Sequence, residues 1–175
     1  IGRKGLLAAK VALMAQGETT AASSAAGTLT ELALQRFTHF HGSITRNGAA
    51  LGNLVGGSIK YSNNLDRVET VRSDGKIDGV DPGQTALSGQ CVMRFADRTL
   101  LDQAIAGGTC ALAMTYSIPS GPSLTFTAHA VTFSRPRREI SGPGGVQVTF
   151  DWMASRATSP ARMCTVVLSN AQATY

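Results

Sequence analysis

His39 and His41 stand two apart, the spacing at which an extended strand turns both imidazoles to one face within reach of a metal ion. No third ligand of suitable type stands nearby, so a surface or interface role is expected and no metal is assigned. Asp74, Asp78 and Asp81 gather carboxylates in a glycine-containing loop, as a calcium site would. Their spacing departs from the alternating D-x-[DN]-x-[DN]-G ligand pattern, which leaves a solvated or partner-facing loop. No G-x-S-x-G elbow is present, and no Ser or Cys has a histidine placed in a recognisable catalytic pattern. Gly142-Pro143-Gly144-Gly145 lacks the capped helix and Lys-Ser/Thr pair of a phosphate cradle and reads as a turn between strands. Cys91, Cys110 and Cys164 lie far apart in apolar runs. They read as buried free thiols of a protein assembled in a reducing cytoplasm, not as zinc ligands or a disulfide framework. The sequence assigns no catalytic residue and no cofactor, and nothing in it supports an enzyme.

The elements that would position any site are mostly strands. The chain has 175 residues, enough for one domain with a sizeable core. Charged residues are only 15% of it, and Gly, Ala, Ser and Thr abound, which favours an ordered, low-charge surface over a disordered chain. The net charge of +5 is scattered, with no basic run longer than Arg137-Arg138 and no aromatic-and-basic platform. That argues against sequence-specific nucleic-acid reading. No stretch is apolar enough to be a membrane span, and the opening residues do not resemble a signal peptide.

Residues 6–16, LLAAKVALMAQ, read as a strand, since a helix here would lack an N-cap and a polar face. A Ser/Thr/Ala-rich linker follows from Glu18 to Thr30. Leu32, Leu34, Phe37 and Phe40 lead into a further strand. Asn47-Gly48 then marks a hairpin tip, because both positions of a type I′ turn need positive φ. The run from Leu54 to Ala96 organises the chain as two long strands joined by a wide acidic loop. On the outgoing arm, Ile59, Tyr61, Asn63 and Leu65 alternate with Lys60, Ser62, Asn64 and Asp66. One helix follows: Asp97 caps it, Leu100, Leu101, Ala104 and Ile105 form its apolar stripe, and Gly107-Gly108 ends it.

Strands return at TCALAMTYS, at SLTFTAHAVTF, where Leu124, Phe126, Ala128 and Ala130 oppose Thr125, Thr127, His129 and Val131, and at VQVTFDWMA and MCTVVLSN. Trp152, Phe126, Phe133 and Phe150 are core candidates. One short helix among roughly eight strands indicates a mainly β fold, a sandwich or barrel with a single flanking helix.

FTHFHGSITRNGAALGNLVGGSIKYSNNLDRVETVRSDGKIDGVDPG, SGQCVMRFADRTLLDQA and ISGPGGVQVTFDWMA resemble the tail tube (major tail) proteins of long-tailed bacteriophages and gene transfer agents. The likeness runs from about Leu32 to the C-terminus. It divides the chain into an N-terminal strand and linker, 1–30, and a tail-tube-like β-sandwich, 31–175. IGRKG reads as the end of a strand, so a longer parent chain with two similar halves is expected. The resemblance implies rings whose inner strands join into a barrel, stacked into a tube through which DNA passes without sequence-specific binding. It also implies a place in the virion tail after assembly in the host cytoplasm, with tail terminator, tape-measure and baseplate proteins as partners. On that basis Lys60, Ser62, Asn64 and Asp66 are expected to line the lumen. The acidic loop with Asp74, Asp78 and Asp81 is expected to dock on the Arg135, Arg137, Arg138 corner of the next ring. Two competing readings are a secretion-tube protein of the type VI kind and a non-catalytic β-sandwich binding module.

Overall fold

The computed structural model describes residues 2, 4–24, 26–28, 35–119, 121–136 and 146–171. Leu32, Leu34, Arg137, Arg138 and the Gly142–Gly145 turn lie outside the described residues. The chain forms two compact units: residues 1–7, 36–61 and 86–175 make the larger, and residues 8–35 and 62–85 the smaller.

The larger unit contains β1 (Gly42–Arg46), β2 (Ala49–Ala50), most of β3 (Leu54–Ser62), β6 (Ala86–Arg94), α1 (Thr99–Ala106), β7 (Cys110–Ser117), β8 (Ser123–Phe133), β9 (Gln147–Ser155) and β10 (Cys164–Ser169). The smaller contains the hairpin of β4 (Asp66–Val68) and β5 (Gly79–Asp81). The main sheet runs β2-β1-β7-β8-β9-β6-β3, with β10 branching off β8. The pairings β1–β2, β1–β7, β7–β8, β8–β9, β8–β10 and β6–β9 are antiparallel.

Local chemistry explains most of these elements. Asn47 (φ 48) and Gly48 (φ 81) supply the two positive φ values that turn β1 into β2, as the NG pair predicts. Cys110, Leu112, Met114 and Tyr116 are buried on alternate positions of β7, and Val148, Phe150 and Trp152 on alternate positions of β9. All of these except Tyr116 join Ile44, Leu87, Cys91, Ala128, Val131 and Phe133 in one core cluster. The sheet is folded over that core. Gly89 sits where a Cβ would collide with the Ser58 carbonyl and the Trp152 indole, so only glycine lets β3, β6 and the tryptophan meet.

α1 differs in detail from its sequence pattern. Asp97 Oδ1 accepts the Thr99 N–H at 2.9 Å, yet the N-cap position is Arg98. Leu100 and Leu101 are buried and Ala104 packs against the core, while Ile105 is 48% exposed. Gly107 (φ 67) closes the helix with its N–H on the Gln103 carbonyl.

Several expectations are corrected. Residues 6–16 are not a strand: Leu6 makes an isolated bridge to Thr38, with the Leu7 N–H on the Phe37 carbonyl, and no ladder continues from it among the described residues, leaving Val11 and Leu13 exposed. Alternation alone does not make a strand without a ladder to join. Phe40 belongs to a 3-10 turn, His39–His41, and is exposed, so the two histidines do not share a strand face. The outgoing arm ends at Ser62, well before Val71. Asn64 (φ 46) turns the chain, and Tyr61 and Leu65 are exposed although Ile59 packs on the core. The core face of β8 is not one parity throughout. A register shift opposite Cys110 and Leu112 moves burial from Ala128 to Val131 and Phe133. The described strands number ten, not eight.

Leu101→Ala is expected to cost about 2–5 kcal/mol in urea unfolding, as deletion of a packed leucine does. Gly89→Ala should prevent cooperative unfolding altogether. A Gly89→Ala protein that melts like wild type would show that β3 is not held at this distance.

Candidate assembly interface

The residues expected to line a lumen do not share a strand. Lys60 is exposed on β3. Ser62 ends that strand and its Oγ donates to Asn64 Oδ1 at 2.8 Å, while Asn64 Nδ2 donates to the Gln84 carbonyl at 2.7 Å. Those two bonds make a polar turn. Asp66 lies on β4, directly opposite Asp81 on β5.

The acidic loop neutralises part of itself. Arg72 Nε and Nη2 reach the two carboxylate oxygens of Asp74 at 3.0 Å each, and its Nη1 reaches Asp78 Oδ1 at 2.6 Å. Arg67 pairs with Glu69. Arg72, then the Lys76 backbone N–H, hold the Asp74 carboxyl below the usual carboxylate range, and the two aspartates raise the Arg72 guanidinium. Among the described residues no cation is paired with Asp66 or Asp81, which leaves two like charges facing across a two-stranded ladder. Arg135 is exposed after β8.

Two surfaces stand out that single-residue motifs do not flag. The first is β10. It pairs with β8 along one edge and, among the described residues, with nothing along the other. Val166, Val167 and Leu168 are each more than half exposed on it. Soluble proteins blunt such edges with Lys, Pro or a bulge, and this strand has none of them. The sequence signal was a run of three apolar residues without alternation, legible as an edge only once the pairing is known.

The second surface is the face of β1, β7, β8 and β10 turned away from the core. Cross-strand register builds it in rows. Thr45, Ala113, Thr127 and Thr165 make one row, and Ser43, Thr115, Thr125 and Val167 the next. Ser117, Ser123 and Ser169 make the last. Apart from Ala113 and Val167, every position is a serine or threonine, and none is charged. Thr115 Oγ1 and Thr125 Oγ1 lie 3.1 Å apart, and His129 Nε2 bonds Thr165 Oγ1 at 2.7 Å on the border of the face. The outward side of β6 and β9 differs: it carries Arg94, Asp151, and a Gln90–Asp151 hydrogen bond of 2.8 Å.

The remaining chemistry is structural. Burial pushes the Cys91 thiol up to about 12, with Cys110 adding to the shift, so the nucleophilic thiolate is suppressed. Cys110 is also buried, and Cys164 is half-buried. The Trp152 indole lies against the Cys91 sulfur, and its Nε1 has no conventional acceptor among the described residues. His41 Nδ1 accepts the Thr38 N–H at 3.0 Å. Among the described residues no three His, Cys, Asp or Glu side chains come together as a metal site. No helix among them is long and apolar enough to cross a membrane.

The larger unit is thus an antiparallel sheet folded over one core, with an apolar edge strand paired on one side only among the described residues. A family model described as phage tail tube protein matches residues 1–154, reaching through the N-terminal residues that the sequence motifs did not cover. The chain belongs to the phage tail tube protein family and is a structural tube subunit. As such it is a component of the particle's tail.

Among solved structures, the cap of the anti-feeding prophage, its tube-terminating protein, aligns with a TM-score of 0.58 at 12% identity, over 82% of this chain and 99% of that one. A chain of the sheath-tube complex of an extracellular contractile injection system, PVC, in its extended state, aligns with a TM-score of 0.51 at 11% identity, over 75% and 90%. A chain of the sheath/tube terminator of the same system aligns with a TM-score of 0.50 at 12% identity, over 81% and 99%. At these identities the likeness is one of fold. No curated protein matches the sequence.

Arg72→Ala should raise the Asp74 carboxyl toward its ordinary range, followed by carboxyl-carbon NMR through an acid titration, with the Lys76 N–H still holding part of the depression. Because the folded value is depressed, the clamp contributes above the ordinary carboxylate pKa and is lost as pH falls through the depressed one. An Asp74 titration unmoved by the substitution would remove Arg72 as the cause.

Proposed function

We propose that copies of this chain close head-to-tail into rings, that the rings stack into a tail tube, and that DNA passes along its lumen. β10 carries this reading: an unblunted apolar edge on a member of a tube family has another copy as its natural partner. The branch β2-β1-β7-β8-β10 offers two unlike ends, β10 and the short β2. Joining β10 of one copy to the β2 end of the next is a heterologous contact, which closes into a ring instead of stopping at a dimer. Strand addition satisfies the open backbone groups of β10, and covering Val166 and Leu168 removes apolar surface from water.

Ring stacking is assigned to a second contact between unlike patches. Arg72 takes up Asp74 and Asp78, so Asp66 and Asp81 are the carboxylates with most charge to offer the Arg135, Arg137, Arg138 corner of the next ring. Charge there sets register more than affinity. The tail terminator, tape-measure and baseplate proteins are the expected partners at the ends and inside, with assembly in the host cytoplasm. The protein performs no catalysis in this role.

Wild type should form rings or tubes in electron micrographs, and Val166→Lys combined with Leu168→Lys should leave circular dichroism unchanged and only monomers in sedimentation. Rings formed by the double variant would exclude the β10 edge. Reversing Arg135, Arg137 and Arg138 to Glu should permit rings but block tubes, and Lys introduced at Asp66 and Asp81 should partly restore them. Normal tubes from the triple reversal at low salt, where such contacts are strongest, would eliminate the electrostatic contact.

A further inference from the structure

Sixteen Lys and Arg and eleven Asp and Glu are distributed along this chain, yet the open face of the β1-β7-β8-β10 sheet carries none of them. An ordinary solvent-facing sheet mixes charges of both signs for solubility, and the outward side of β6 and β9 does so with Arg94 and Asp151. The hydroxyl rows therefore mark one face as chemically distinct from the rest of the same unit.

We infer that this hydroxyl face lines the lumen of the tube and is the surface past which duplex DNA slides, an assignment that rests on the ring-and-tube reading. Three observations converge on it. The rows run to the edge of the sheet, ending in Thr165, Val167 and Ser169 on β10, so strand addition at β10 carries the same face on into the next copy. The side chains are short, and those at the centre of the rows are half-buried, as in the Thr115–Thr125 contact of 3.1 Å, which makes a wall without projecting cations.

The third observation is the chemistry itself. A polyanion is held by each lysine or arginine that displaces a counterion from it and is repelled by each carboxylate. A hydroxyl does neither: it donates to a phosphate or to water at similar cost and exchanges between them. The net charge of +5 then stands away from the cargo. On this assignment the lining moves from Lys60, Ser62, Asn64 and Asp66 to the hydroxyl rows, and Lys60, the cation of that group, is kept out of the DNA path.

Thiol accessibility in assembled tubes tests the assignment. In a Cys164→Ser background the remaining native thiols, Cys91 and Cys110, are buried and silent. Ser117→Cys and Thr125→Cys place single thiols on the face, and each is offered a small maleimide and a maleimide carried on a bulky dextran. A luminal thiol reacts in intact tubes with the small reagent and not with the dextran, and reacts with both after the tubes are dissociated. Reaction of intact tubes with both reagents would put the face on the outer wall, and reaction with neither would bury it between subunits. Either result overturns the inference while leaving the tube standing. Wild-type protein that never forms tubes overturns the ring-and-tube reading, and this inference with it. Should both cysteine variants fail to fold, a reconstruction of the wild-type tube decides the same question: Thr115 and Thr125 on the channel wall support the assignment, and any other position for them refutes it.

Discussion

One edge of β8 serves two partners, and the rest of the larger unit follows from how it is divided. From Ser123 to Ala128 the edge pairs with β10, and from Ala130 to Phe133 it pairs with β9. At the changeover the His129 N–H donates to the Met163 carbonyl, so no backbone group is abandoned between the two ladders. On the other edge the register against β7 slips at the same place. A bulge there bends the strand and increases its twist. The bend sends β9 and β6 back over the face that β7 and β1 bury, and that return encloses Trp152, Phe150 and Val148 with Leu112 and Met114 in one core. It also leaves β10 paired on one side only.

The same division accounts for the two characters of the sheet. Where β8 pairs with β10, the odd-numbered residues Ser123, Thr125 and Thr127 face outward and carry hydroxyls. Beyond the bulge, odd-numbered Val131 and Phe133 face inward and are apolar. A strand read as a strict alternation would put Val131 on the threonine face. The bulge lets one strand contribute a hydroxyl surface at one end and core at the other, without a residue on the wrong side of either.

The legible parts of the sequence are those whose physics is local. Asn47-Gly48 forms its turn because both φ values are set by the two residues themselves. Thr99–Ala106 is a helix between an aspartate that bonds its first turn and a glycine that ends it. β8 follows its apolar and threonine pattern as far as Ala128, before the register slips. The illegible parts depend on a second backbone. Residues 6–16 carry a strand-like pattern and find no ladder beyond Leu6. The polar alternation from Ser58 onward continues past the end of β3, but Asn64 turns the chain in a left-handed conformation that alternation does not encode. The hydroxyl rows are the clearest case. Thr125 and Thr127 are visible one strand at a time, whereas a continuous uncharged face exists only once three registers align four strands.

Charge placement in each of the two units answers one requirement. A tube subunit must offer sticky contacts to its own copies and an indifferent one to its cargo. In the smaller unit, the carboxylates of Asp74 and Asp78 are consumed by Arg72. A bare cluster of loop acids would repel an identical loop and swell with falling salt. Clamped, it is a rigid turn whose remaining charge, at Asp66 and Asp81, is fixed in position by the β4–β5 ladder. In the larger unit, charge is absent from one sheet face and apolar side chains concentrate on the adjoining edge. Neither pattern improves the stability of an isolated monomer. Like-charged aspartates in register and an exposed Val-Val-Leu run both cost it stability or solubility. The proposed contacts with other copies of the chain would turn both to advantage.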